Sequence, residues 1–244
     1  MLVSGIKALD DCLFEGHGIP PGSLIEIYGH SDSGKNSLAL TFCREFLAQN
    51  ISPQEEHYAG WVCAETHLSL TQIQWAQIDW THLIVAKQHP LVPGLEMARE
   101  LVDAGCGLVV VDSISALISE KVEEPLQKVI GTSLPLLKAS LVREGAIGIL
   151  LNQDRSLMPG RASQHSGACP VLVKLVDCRI RLSSGAGLYR GPSLEGMRIH
   201  FSLAKNGPNL SRWGAEGKFS CYWRTGLKDV RGYKLKGAVD GLNL

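Results

Sequence analysis

No apolar run in this sequence approaches the roughly 18 residues a helix needs to span a bilayer, so no membrane-spanning segment is expected. Cys-x-x-Cys pairs are missing as well. The seven cysteines (Cys12, Cys43, Cys63, Cys106, Cys169, Cys178 and Cys221) are odd in number and scattered, which argues against a disulfide framework or a zinc site and for small buried hydrophobes. Neither sign of charge is in excess: lysine plus arginine and aspartate plus glutamate each number 24, so any affinity for nucleic acid must come from a local patch. The opening MLVSGIKALDD lacks the charged start, apolar core and small-residue cleavage site of a secretory signal, and the expected location is cytoplasmic. Internal repeats, low-complexity tracts and a nucleophilic triad are also missing.

What is present is an alternation of strands and helices. A chain of 244 residues suits one α/β unit with a small appendage, here residues 1–206 as the core and 207–244 as a short C-terminal extension. The patterning predicts a strand at Leu24–Tyr28, a loop at Gly29–Gly34 and a helix from Lys35 to Gln49. A strand at Gly60–Ala64, a helix at Ser69–Gln77, a strand at Leu83–Ala86 and a helix at Pro93–Ala104 follow. The run Gly107–Asp112 is unbroken by polar residues until its last position, as in a central parallel strand covered on both faces. A helix at Pro125–Glu144 then leads to an apolar strand at Ile147–Asn152. Beyond a loop at Asp154–Gly167, strands are expected at Val171–Leu182 and Met197–Ala204, joined by a glycine-rich turn at Ser183–Gly191. Such alternation predicts a central, mostly parallel twisted sheet flanked by helices.

The loop carries the clearest chemistry. Gly29, His30, Ser31, Asp32, Ser33, Gly34, Lys35, Asn36 and Ser37 nearly fit GxxxxGK[ST] and lie where that motif must, after a strand and opening a helix. Glycines let backbone N–H groups turn inward around phosphate oxygens, the helix N-terminus adds partial positive charge, and Lys35 reaches the outer phosphates. ATP with Mg²⁺ is the expected ligand. The residue after Lys35 is Asn36 where the motif has a hydroxyl for magnesium; an amide oxygen can ligate the ion, and Ser37 could replace it only if the helix start shifted.

Polar residues close three predicted strands. Asp112 can hold magnesium through water, Glu65 stands where a base orienting an attacking water belongs, and Gln153 can sense a γ-phosphate by hydrogen bonding. Each alone also reads as a helix cap or a solvated strand end. In the loop Asp154–Gly167, Arg155, Arg161 and His165 can reach phosphates or simply face water. Lys228, Arg231, Lys234 and Lys236, with Tyr233 among them, read as a solvated tail or a basic patch. Trp75 and Trp80 fall near the base side of the expected site; Trp213 and Trp223 lie near the end, and packing is the default reading for all four. His67 beside Glu65 reads as an exposed loop histidine.

Five segments together resemble the RecA/RadA recombinase family: Ser4–Asp10, Leu24–Gly29 with its loop, Val111–Leu117, Leu151–Gln153 and Ser166–Lys174. Ala204–Asn206 continues the likeness. The resemblance implies a RecA-like phosphate-loop ATPase core in which Glu65 is the catalytic glutamate, Asp112 the magnesium-site aspartate and Gln153 the switch linking ATP to DNA. It also implies that Lys205 reaches the nucleotide of a neighbouring subunit, that Asp154–Gly167 is a DNA-binding loop and that Glu120–Gln127 lies near another. The chain departs from the family where the first motif begins within a few residues of Met1, as in a minimal core without the N-terminal polymerisation arm, where Glu120, Glu123 and Glu124 make the first loop acidic, and where Gly207-Pro208 follows Lys205. The implied function is an ATP-binding, ATP-hydrolysing protein of DNA recombination and repair with single-stranded DNA, its own copies or a RecA-type recombinase as partners. A nucleotide-gated interaction module without direct DNA handling is the alternative that Asn36 and the short loops favour.

Overall fold

The computed structural model describes residues 1–49, 56–63, 68–88, 91–114, 126–153, 170–207 and 214–230. In chain order the elements are α1 (Lys7–Asp10), β1 (Leu24–Gly29), α2 (Lys35–Leu47), β2 (Tyr58–Cys63), α3 (Leu70–Ala76), β3 (Leu83–Lys87), α4 (Leu91–Asp103) and β4 (Cys106–Asp112). Then come α5 (Leu126–Glu144), β5 (Ile147–Gln153), α6 (Pro170–Leu175), β6 (Cys178–Arg190), β7 (Ser193–Asn206), β8 (Glu216–Tyr222) and β9 (Gly226–Asp229). The described strands form one sheet in the order β3-β2-β4-β5-β1-β6-β7-β8-β9. From β3 to β6 every pairing is parallel, and from β6 to β9 every pairing is antiparallel.

Period-2 alternation along the strands divides the core into two layers. Ile25, Ile27, Leu108, Val110, Ile149 and Leu151 face Leu38, Phe42 and Leu47 of α2 and Ile73 of α3. Leu24, Val109, Val111 and Leu150 face the opposite way, against α4 and α5 through Leu95, Ala98, Leu134, Leu137 and Leu141. Central strands covered on both faces need no polar alternation, which is why β4 and β5 read as continuous apolar runs. No helix among the described residues is long and apolar enough to cross a membrane.

Two expected elements differ in the structure. Val171–Leu182 is not one strand: Pro170 opens α6, Val176 N–H donates to the Leu172 carbonyl, and β6 begins only at Cys178. A short apolar run does not distinguish helix from strand by period, and a proline at the first helical position is the cue that decides it. The glycine-rich Ser183–Gly191 is not a turn but the continuation of β6 to Arg190. Its glycines lie beside register shifts between Ser184 and Gly187 and between Leu188 and Tyr189, as glycines do at bulges in a long ribbon. Beyond residue 206, Glu216–Tyr222 and Gly226–Asp229 extend the same sheet by two strands. Asp229 ties them to the start of the chain by accepting from the backbone N–H groups of Lys7 and Ala8.

Candidate nucleotide site

The strand order brings the carboxyl ends of β1, β4 and β5 to one edge. Tyr28 and Gly29 pair in register with Asn152 and Gln153, while β4 lies on the far side of β5. Beyond Gly29 the chain turns through Asp32 (φ 58°) and Gly34 (φ 88°) into α2, whose first residue is Lys35. Side chains are excluded at two points. A Cβ on Gly29 would stand 2.2 Å from the Leu182 carbonyl oxygen, and one on Gly34 would stand 2.3 Å from Cδ1 of Ile199. Glycine is therefore required by the close approach of β6 and β7 beneath the loop, and at Gly34 by the left-handed backbone too.

Lys35 lies over the loop, its Nζ donating to the carbonyls of Gly29 at 3.1 Å and His30 at 2.6 Å. Burial lowers its pKa below the ordinary lysine value, while Asp112 and Asp32 oppose that shift. Asn36 Nδ2 donates to Asp112 Oδ2 at 2.7 Å, so the second helical residue meets the end of β4 directly. Gln153 Nε2 donates to Ser31 Oγ at 2.9 Å, joining the end of β5 to the same loop. Ser33 Oγ is buried with no hydrogen-bond partner among the described residues.

A cavity of about 380 Å³ opens on this loop, lined on one side by Asp32, Gly34, Lys35, Asn36 and Ser37. Its opposite wall is Gln72, Met197, Ile199, Cys221 and Trp223. A second cavity of about 300 Å³ shares Asn36, Ser37, Gln72, Cys221 and Trp223 and reaches Trp75, whose indole N–H donates to the Tyr222 carbonyl. The N-terminus of a 13-residue helix, a lysine and a carboxylate at one strand-end crevice suit a polyphosphate with its counter-ion.

Comparison with known proteins agrees with this geometry. A family model described as the RecA N-terminal domain matches residues 1–158. The chain belongs to the RecA family. Curated relatives named Protein RecA, from Francisella tularensis subsp. novicida strain U112 and subsp. tularensis strain SCHU S4, are 30% identical over 219 residues, 84% of this chain. The alignment spans 59% of those relatives, so the chain corresponds to about three fifths of a curated RecA protein.

Of the residues expected at a RecA-type site, the structure brings together Gly29 to Ser37, Asp112 and Gln153. Lys205, expected at the nucleotide of a neighbouring subunit, lies away from this chain's own loop. It sits opposite Arg179, at the register level of Glu26 rather than Gly29, and its Nζ donates to the carbonyls of Val173, Lys174 and Val176 at the end of α6. Burial lowers its pKa, with Asp177 opposing. Glu65, His67, Glu120, Glu123, Glu124, Arg155, Arg161, His165, Trp213, Arg231, Tyr233, Lys234 and Lys236 lie outside the described residues. Trp75 reaches the cavity region, but Trp80 stands ahead of edge strand β3 and is 68% exposed.

The sequence reading missed Trp223, Gln72 and Met197 as cavity walls. Gln72 had a local signal: with Ser69 it forms a reciprocal capping box that fixes the start of α3. Trp223 had none, because only the pairing of β8 with β7 carries it to the loop.

Among the described residues no cluster of three His, Cys, Asp or Glu could hold a metal by itself. A phosphate-loop magnesium relies instead on one side chain, water and the phosphates. Asp112 fits that role through water. Asn36 as placed does not fit as the inner ligand, because it turns its amide nitrogen, not its oxygen, towards Asp112. Ser37 does not replace it, because α2 begins at Lys35 with no shift of the helix start.

Proposed function

We propose that this RecA-family chain binds ATP on the loop Gly29–Ser37 and uses the bound nucleotide to control single-stranded DNA binding in recombination or repair. The observation that carries the reading is the meeting at one sheet edge of Lys35 and Asn36 from the loop with Asp112 from β4 and Gln153 from β5. Lys35 and the first N–H groups of α2 hold the phosphates, and Asp112 lies on the metal side of the site. Gln153, bonded to the loop at Ser31, is the residue through which phosphate contact is transmitted to the loop that follows β5. In this reading Glu65 orients the attacking water, Arg155, Arg161 and His165 contact the DNA backbone, and Lys205 serves a neighbouring subunit. The protein acts in the cytoplasm as a homo-oligomer or beside a full recombinase.

A second reading, a nucleotide-gated module that recruits a partner without handling DNA, is favoured by the Asn36–Asp112 bond, which disturbs the site for hydrolysis more than for binding. ATP affinity and turnover, measured with and without single-stranded DNA, separate the two. The first reading requires DNA-stimulated turnover that Glu65→Gln stops and Lys35→Ala abolishes. Lys35-dependent ATP binding that ignores DNA would favour the second, and ATP binding indifferent to Lys35→Ala would sink both.

A further inference from the structure

Where a phosphate loop carries serine or threonine after its lysine, one atom does two things. The hydroxyl oxygen donates its hydrogen and keeps lone pairs for a cation, so it can bond to a carboxylate and ligate magnesium together. Asn36 separates these functions onto two atoms. Its nitrogen has two hydrogens and no lone pair for a metal, and its oxygen lies at the other end of the amide.

The 2.7 Å bond between Asn36 Nδ2 and Asp112 Oδ2 fixes which end faces the carboxylate, since an ionised carboxylate only accepts. A cation entering between them would meet the positive end of the amide dipole. Turning the amide over first breaks a hydrogen bond to a charged acceptor, about twice as strong as a neutral one. Mg²⁺ tolerates this poorly, because it demands near-octahedral oxygen ligands and gives up water reluctantly. Ser37 does not take its place, since α2 starts at Lys35 and Ser37 stays one residue beyond the motif's hydroxyl position. The positive charge for the phosphates comes instead from Lys35 and the N-terminus of α2, which need no metal.

We infer that this chain holds its nucleotide without help from magnesium and does not distinguish free ATP from its magnesium complex. The inference rests on the ATP-binding reading above. Its consequence is that the metal is not part of the protein's nucleotide site, because the loop lacks the inner-sphere contact that would hold it there.

The test is calorimetric titration with ATP, in EDTA and in excess MgCl₂, of the full chain and of Asn36→Thr, Asn36→Ser and Lys35→Ala, each checked for native circular dichroism. The wild-type Kd should change by less than about threefold between the two conditions, while the hydroxyl variants should bind about tenfold or more tighter with magnesium than with EDTA. A wild-type gain from magnesium as large as that of Asn36→Thr overturns the inference and leaves the ATP reading standing. ATP binding unaffected by Lys35→Ala, in both conditions, overturns the ATP reading and the inference with it.

Discussion

Arg179 Nε donates to Glu26 Oε2 at 2.5 Å within the core, joining β6 to β1 three residues before Gly29, where the phosphate loop leaves the sheet. Glu26 is fully buried and the Arg179 side chain is 9% exposed. Asn152 of β5 donates to the other Glu26 oxygen at 2.8 Å, and the Arg179 guanidinium lies 4.5 Å from the Tyr28 ring centre. Strands β5, β1 and β6 are thus tied together just beneath the loop. A buried pair adds little net stability over apolar residues, yet losing one partner leaves a desolvated charge. Glu26→Leu is therefore expected to cost about 3–5 kcal/mol, and the double change with Arg179→Met to recover most of it. Urea denaturation of the two single variants and the double checks this; a double variant no more stable than Glu26→Leu would show that the pair is not the unit.

Asp32 adds negative charge to a cavity whose other polar walls attract phosphate. It is exposed, and its charge is felt at Lys35. Asp32→Asn keeps a residue type that accepts the left-handed backbone at φ 58° and removes only the charge. ATP affinity should rise about threefold at low ionic strength, with the gain shrinking as salt screens it. Titrations at two salt concentrations decide the matter, and an affinity that falls or keeps its gain in high salt contradicts the electrostatic account.

Trp223, half exposed at 49%, lines both cavities beside the loop and offers a stacking surface to a base. Stacking of a base on an aromatic ring is worth about 1–3 kcal/mol, so Trp223→Ala should weaken ATP roughly tenfold or more and leave inorganic tripolyphosphate, which has no base, unaffected. Equal losses for both ligands would mean that Trp223 only supports the loop.

The strand–loop–helix at Leu24–Leu47 was legible because its signals are local: an apolar run, two required glycines and a lysine at the helix start. Asp112 and Gln153 were legible as strand-terminal polar residues, and parallel pairing of neighbouring strands carried them to a common edge. Trp223 and Met197 were not, since they reach the cavity only through antiparallel pairings formed far along the chain. β8 was legible but missed: Phe219 and Cys221 alternate with Lys218 and Ser220 as in a half-buried strand, and the fold buries Gly217, Phe219 and Cys221. Lys205 shows the other limit. Its resemblance implied a nucleotide of a neighbouring subunit, while its three carbonyl partners within this chain depend on α6, which the sequence reading took for a strand.

The buried thiols set an alkaline limit on stability. Burial raises the Cys43 pKa from 9.0 to about 12 and that of Cys106 to about 11, each by desolvation of the thiolate. In the unfolded chain both ionise near the ordinary value, while in the folded protein they stay protonated. The stability this contributes is fully present below pH 9 and is lost as pH rises towards the folded pKa, at about 1.4 kcal/mol per pH unit per thiol. Other groups titrate in the same range, so the decisive quantity is a difference in slope. Cys43→Ala should be less stable than wild type at neutral pH, having lost buried volume, yet should lose stability less steeply between pH 9 and 11. Denaturant midpoints at a series of alkaline pH values measure both, and parallel pH slopes for the two proteins would show that Cys43 ionises no later in the folded state than in the unfolded one.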